Sequence, residues 1–151
     1  MNIENYDFET ALEQGFKTLF DEAGLALLVA DDVDFAIADE AITFQLDTGG
    51  PGSDEHLNAA GEYDTYIGTI DIEIRTPRVT AATASAPFTN RQSELVATTR
   101  QLLEEIDGAK LAACWPGAIS PTKIKPSGTQ REIDQEFKFA RLSYDMQFRI
   151  T

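Results

Sequence analysis

The segment LSYDMQFRIT, residues 142–151, alternates apolar and polar side chains without a break. In a strand, every second side chain points to the same face, and here that face carries only large apolar groups: Leu142, Tyr144, Met146, Phe148 and Ile150. Burying each of them contributes roughly 1.5–3 kcal/mol as an upper estimate. The segment therefore predicts a core strand whose register is firmly fixed.

The residues just before this segment follow the opposite alternation. Ile133, Phe137 and Phe139 occupy odd positions, whereas the apolar residues from Leu142 onward occupy even positions. One straight strand cannot bury both sets on the same face. The pattern predicts a bulge or turn near 140–141, giving either two strands or one long strand that crosses between layers.

Two further segments show strand alternation. In the first, Ile42, Phe44 and Leu46 alternate with polar residues; the second is YIGTIDIEIRTPR, residues 66–78. The second strand is expected to end at Pro77, with Thr69, Asp71, Glu73 and Arg75 on the face opposite its isoleucines. The apolar run 25–30 is compatible with either a buried strand or the continuation of a helix.

Two segments show helical periodicity. The first has Asn5 or Asp7 as its N-cap and Gly24 as its stop, with apolar residues at helical spacing: Phe8, Leu12, Phe16, Leu19 and Phe20. The second begins after Thr89 or Asn90, and Gly108 is expected to end it.

These segments predict one α+β domain over residues 1–151, a mainly antiparallel β-sheet with two packed helices in the order α-β-β-loop-β-α-β-β. The stretch 48–62 is rich in glycine and poor in large apolar residues. It predicts a long flexible loop between two strands, which at this length is usually functional or mobile. We expect a soluble, cytoplasmic protein, because no signal peptide or membrane-spanning segment is evident.

The charge is concentrated in the first part of the chain. Residues 1–62 hold fifteen acidic residues and one lysine, whereas residues 63–151 hold eleven of each sign. The acidic part is expected to repel nucleic-acid backbones. It is either a solvated face that aids solubility or a surface that DNA passes without binding.

The sequence offers no catalytic constellation and no cofactor or metal motif. His56, the only histidine, stands alone in the glycine-rich stretch, and Cys114, the only cysteine, is expected to be a small buried residue. The acidic run DDVDFAIADE, residues 31–40, lacks the ligand spacing of a calcium loop. We therefore predict a protein that is not an enzyme and uses no cofactor.

The order of these segments resembles the small tail terminator and tail completion (neck) proteins of tailed bacteriophages. The resemblance rests on a leading amphipathic helix, then YDTYIGTIDIEIRTPR, a helix beginning near NRQSELV, REIDQEFKF and LSYDMQFRI. It covers roughly residues 8–150. It implies a homo-oligomeric ring, typically a hexamer, that caps the tail tube and contacts tail tube and head–tail connector proteins in the virion.

The ring hypothesis selects candidate residues. Subunit contacts are expected at the exposed-face residues Arg75 and Arg78, at the loop 48–62, and at Phe137 and Phe139, whose alternative is a core role in a second strand. A lumen through which DNA passes without specific binding is expected to be lined by acidic residues: Asp31, Asp32, Asp34, Asp39 and Glu40.

Two alternatives remain at this point. The first is another structural subunit of the same particle, such as a head-completion or tail tube protein. The second is a small acidic binding module, for example an inhibitor that mimics DNA and binds a basic protein.

Overall fold

The computed structural model describes residues 7–29, 40–51, 65–77 and 91–150. These residues form three helices and five strands. In chain order they are α1 (Phe8–Glu22), β1 (Leu27–Val29), β2 (Ala41–Pro51), β3 (Thr65–Pro77), α2 (Arg91–Glu104), α3 (Gly108–Cys114), β4 (Ile119–Ile133) and β5 (Phe137–Ile150). The predicted α+β class is confirmed, with three helices in place of two.

The five strands form one sheet in the order β1-β2-β3-β5-β4. β1 runs parallel to β2, and the other neighbouring strands are antiparallel. β5 lies inside the sheet, hydrogen-bonded to β3 on one side and β4 on the other. Both edges of β5 are therefore paired, which anchors the segment 142–150 far more firmly than an edge strand would.

β5 is a single straight strand, so the predicted bulge or turn near 140–141 is wrong. It pairs with β3 from Phe137 to Arg149 without a register shift. Ile133 belongs to β4, and residues 134–136 form the turn between the two strands. The side chain of Asp134 fixes this turn by accepting hydrogen bonds from the backbone N–H groups of Glu136 and Phe137, at 2.8 and 2.7 Å.

The register shifts occur in β4. They lie between Pro121 and Lys123 and between Pro126 and Gly128. A β-bulge adds one residue to one strand of a pair and often lies at a sheet edge. Each bulge reverses which side of the sheet the odd-numbered side chains of β4 face, so two bulges restore the original side. Ile119 and Thr129 therefore both lie on the helix side, opposite Ile150 and Leu142 respectively.

Helix α1 follows its sequence signals. The carboxylate of Asp7 accepts a hydrogen bond from the backbone N–H of Thr10 at 3.3 Å and is the N-cap. The helix ends at Glu22, and Gly24 adopts a positive φ of 77°, which glycine tolerates without strain. The face toward the sheet is buried.

The prediction that the second helix runs to Gly108 is wrong. α2 ends at Glu104, and Gly108 is the first residue of α3. Asp107 caps α3, since its carboxylate accepts from the backbone N–H of Lys110 at 2.8 Å. The sequence carried two competing signals here: Asp107 is a residue type favoured at a helix N-cap, whereas Gly108 is a residue type that often follows a helix end.

The strand at 42–46 and the strand ending at Pro77 are confirmed as parts of β2 and β3, and the run 25–30 contains the short strand β1. β2 extends to Pro51, so the first four residues of the predicted loop 48–62 belong to a strand. The rest of that loop lies outside the described residues.

The core lies between the helices and one face of the sheet. It includes Phe16, Phe44, Ile72, Leu142 and Phe148, each no more than 1% exposed. Trp115 lies edge-on to Phe16, with ring centroids 4.8 Å apart, and its indole N–H donates to the carbonyl oxygen of Leu12 at 3.2 Å. This bond satisfies the one polar atom of a buried side chain.

Candidate functional site

The described helices pack on one face of the sheet only. Their apolar side chains meet the even-numbered residues of β3 and β5, such as Ile70, Ile74 and Met146. The odd-numbered residues of the same strands point to the other side, which we call the helix-free face. Among the described residues, the helix-free face is therefore the flat surface of the sheet that no described helix covers.

The centre of the helix-free face is held by polar contacts between β3 and β5. Arg141 Nη2 lies 3.2 Å from Glu73 Oε2, and the hydroxyl of Ser143 donates to Asp71 Oδ1 at 2.6 Å. Both pairs join residues that lie directly opposite each other on neighbouring strands. They match the predicted polar face of β3, and exposed pairs of this type contribute little stability.

A groove crosses one end of the helix-free face. Its volume is about 450 Å³, and it is lined by residues 47–49 of β2, 67–69 of β3, 145–147 of β5, and Lys123 and Lys125 of β4. Ile67 is 44% exposed. Gly49 has no side chain to cover Ile67, and a Cβ at position 49 would lie only 3.0 Å from Ile67 Cγ1.

One wall of the groove is basic. Lys123 and Lys125 lie on β4 opposite Gln147 and Asp145, and both are exposed. Within the described part of the chain, neither lysine makes an ion pair. An unneutralised pair of cations is notable in a chain with a net charge of −14, because the chain as a whole repels anionic groups.

The opposite end of the sheet is a projecting β-hairpin. From Thr122 to Ile133, β4 is exposed except at Ile124, which is partly buried. Ile133, at the end of β4, is 58% exposed. We call residues 131–136 the hairpin tip; they contain three acidic residues and one arginine.

Arg75 is not the exposed residue that the sequence predicted. It is only 6% exposed, and its guanidinium lies 4.5 Å from the centre of the Phe137 ring. An arginine over an aromatic face is an attractive arrangement. The side chain is therefore held inside the subunit, which weakens the case for Arg75 as a direct contact residue.

Phe137 and Phe139 lie on the helix-free face, not in the core. Both are partly buried, their ring centroids are 6.4 Å apart, and Phe139 is opposite Arg75 in register. Their odd register is thus explained by the second face of a straight strand. Both remain candidates for a subunit contact.

Of the other predicted site residues, the structure describes only Glu40. Arg78 and the acidic residues Asp31, Asp32, Asp34 and Asp39 lie outside the described residues, as does His56. Glu40 accepts a hydrogen bond from Arg91 Nε at 2.9 Å. This contact offsets part of the charge that the lumen hypothesis assigns to Glu40.

The sequence reasoning missed Ile67, Lys123 and Lys125. Ile67 carried a signal, because it is an apolar residue in the polar register of β3. The lysines carried none, since the alternation in β4 is interrupted by two bulges. Only the strand order brings β2, β3, β5 and β4 together into one groove.

The buried reactive groups are poor starting points for catalysis. Cys114 is buried and free, as predicted, and burial together with nearby Glu22 raises the pKa of its thiol. Burial, with a smaller contribution from Glu104, raises the pKa of Tyr144 to about 12. Both shifts favour the neutral, unreactive form. Among the described residues no group of three or more His, Cys, Asp or Glu could hold a metal ion.

The sequence matches no protein-family profile and no curated protein. Across 7–29, 40–51, 65–77 and 91–150, no helix is long and apolar enough to span a membrane.

Proposed function

We propose that this chain is a structural subunit of a tailed bacteriophage, a tail terminator that assembles into a ring, typically of six copies, on the tail tube. The ring joins the tube to head–tail connector proteins in the virion. The subunit performs no chemistry and needs no cofactor. Its function is to bind copies of itself, the tail tube protein and the head–tail connector proteins.

The observation that carries the proposal is the one-sided packing of the sheet. The described helices cover one face, while the other face holds a groove, an exposed isoleucine and an unpaired basic wall. Soluble monomers generally avoid such a combination unless the surface binds something. Self-association would bury this surface, and it agrees with the resemblance in segment order to ring-forming tail terminator proteins.

The charge distribution supports the same function. The acidic residues concentrated in 1–62 give a surface on which a DNA backbone finds no counter-charge. We assign the run that contains Asp31, Asp32, Asp34, Asp39 and Glu40 to the lumen of the ring. DNA then passes through it without specific binding.

The test is to measure the oligomer mass of the purified chain by light scattering in dilute and concentrated solution, and to image it by negative-stain electron microscopy. A closed ring whose mass no longer grows with concentration is the expected result. The ring should also fail to retain linear duplex DNA at low salt, where non-specific electrostatic binding is strongest.

Other results point to the alternatives. Tubes that lengthen with concentration indicate a tail tube subunit. A chain that stays monomeric or dimeric and binds a basic protein indicates an acidic binding module, and it contradicts the ring.

A further inference from the structure

The described residues include two exposed large apolar side chains, Ile67 and Ile133. Ile67 lies in the groove at one end of the helix-free face. Ile133 lies at the hairpin tip at the other end of the sheet, opposite Lys138 and therefore in the register of the helix side. Each exposes apolar surface to water, which is unfavourable and lowers the solubility of the isolated subunit. Two such sites on one subunit suggest two halves of one contact.

The tip and the groove cannot meet within one subunit. Ile133 lies opposite Lys138, and the groove residue Ile67 lies opposite Gln147 of the same strand. The strand β5 advances about 3.4 Å per residue, so the stretch from Lys138 to Gln147 separates the two sites by about 30 Å. A straight strand paired on both edges cannot bend to close that gap. The contact has to form between copies.

The acidic tip is complementary in charge to one wall of the groove. Glu132 and Glu136 are exposed on either side of the tip, whereas the groove has the unpaired wall formed by Lys123 and Lys125. Asp47 and Asp145 also line the groove, so the acidic side chains of the tip are expected to face the lysine wall. Charge pairs of this kind set partner and orientation more than affinity.

We propose that the hairpin tip of one subunit inserts Ile133 into the groove of a second copy, next to Ile67, with Glu132 and Glu136 against Lys123 and Lys125. The contact joins two different patches of the same chain, so it is heterologous and repeats head to tail. Such a series closes into a ring when its rotation divides the circle. This contact deepens the proposed function and rests on it.

The turn geometry suits a tip that inserts. Asp134 accepts hydrogen bonds from two backbone N–H groups, and its own N–H donates to the carbonyl oxygen of Phe137 at 2.9 Å. Arg131 Nη1 donates to Gln92 Oε1 at 3.0 Å and ties the hairpin to α2. A tip that is ordered before binding loses less conformational entropy on association.

The experiment uses two full-length variants and compares each with the wild type. The tip variant is Ile133→Asp, and the groove variant is Lys123→Glu with Lys125→Glu. Both changes are at exposed positions of β4, so circular dichroism and the melting temperature should stay close to those of the wild type. The charge control is Lys17→Glu with Lys110→Glu, which makes the same charge change on α1 and α3.

The expected result is that each variant alone stays monomeric at a concentration where the wild type and the charge control form rings. This corresponds to at least a tenfold rise in the dissociation constant. When the two variants are mixed, the intact tip of one meets the intact groove of the other. The mixture should form a 1:1 dimer and stop there, because neither free end can bind again.

A second test reverses the charges on both sides of the contact, so that the tip becomes basic and the groove wall acidic. Glu132→Lys with Glu136→Lys, combined in one chain with the groove variant, should form rings again.

Other outcomes separate this contact from the proposed function. A wild type that forms rings, with variants that form them equally well, overturns the contact and leaves the ring in place. Variants whose mixture stays monomeric, or grows beyond the dimer, also overturn the contact. A wild type that forms no ring at any concentration overturns the proposed function, and the contact with it.

Discussion

The two faces of the sheet are built from the same strands and have opposite characters. On β3, Ile70, Ile72 and Ile74 are fully buried under the helices, while Ile67 on the other face is 44% exposed. On β5, Tyr144 is 2% exposed, and its neighbour Asp145 lines the groove. The covered face holds the core that keeps the subunit folded. The helix-free face is exposed at the groove end, whereas Arg75 on the same face is buried against Phe137.

This difference separates stability from assembly. A change on the covered face removes packing inside the core, and it should lower the free energy of unfolding. A change at an exposed position of the helix-free face, such as Ile67, removes no core packing, and it should alter association while leaving the subunit folded. Three predictions follow this division from the largest expected effect to the smallest.

The largest effect is expected from an isoleucine on the covered face. Ile72→Ala should lower the free energy of unfolding by about 2–5 kcal/mol, because it leaves a cavity in a packed core. The matched change Ile67→Ala on the other face of β3 should cost less than about 1 kcal/mol. Urea denaturation at a concentration where the chain is monomeric measures both. Equal losses at the two positions contradict the division between the faces.

The second effect concerns the contact between α1 and the segment after α3. Gly15 is buried, and a Cβ there would lie 1.9 Å from Trp115 Nε1. Gly15→Ala should therefore displace the indole, at a cost of about 1–3 kcal/mol for overpacking and about 1 kcal/mol for the lost bond to Leu12. Thermal unfolding and the fluorescence of this single tryptophan would report the change. Gly117→Ala, with nothing near its added methyl group, is the control and should leave both signals unchanged.

The smallest effect appears only at high pH. Burial raises the pKa of Tyr144 to about 12, from the ordinary tyrosine value of 10.0. Above pH 10 the unfolded chain loses this proton more readily than the folded chain, so stability falls as the pH rises through 12. At pH 11 the loss is about 1.4 kcal/mol. The wild type should lose about that much more than Tyr144→Phe between pH 8 and pH 11 in denaturant titrations, and identical losses would exclude this contribution of Tyr144.

The sequence predicted most of the covered face and little of the candidate site. The strict alternation from Leu142 to Ile150 predicted β5, because only a strand places those residues on one face. The same reasoning failed at Phe137 and Phe139, since it assumed that large apolar residues belong to one core. The structure puts them on the second face, where Phe137 packs against the guanidinium of Arg75.

The helix boundaries show a similar limit. Asp7 and Gly24 mark the ends of α1 by local chemistry; the sequence identified Gly24 and gave Asp7 as one of two candidate caps, with Asn5 as the other. At Gly108 two local signals competed, and a helix stop was predicted where a new helix begins. The close approach of Trp115 to Gly15 joins residues about a hundred positions apart, and no local pattern records such a contact.

By itself, the sequence determined the fold class, the buried side of β5 from Leu142 to Ile150 and the concentration of negative charge in residues 1–62, because periodicity and charge are local properties of a chain. Only the tertiary structure decided that β5 lies between β3 and β4, that the described helices share one face, and that Ile67 and Ile133 are exposed about 30 Å apart. Those features depend on which strands become neighbours. Strand order is set by the packing of the whole domain, so it cannot be read from any single segment.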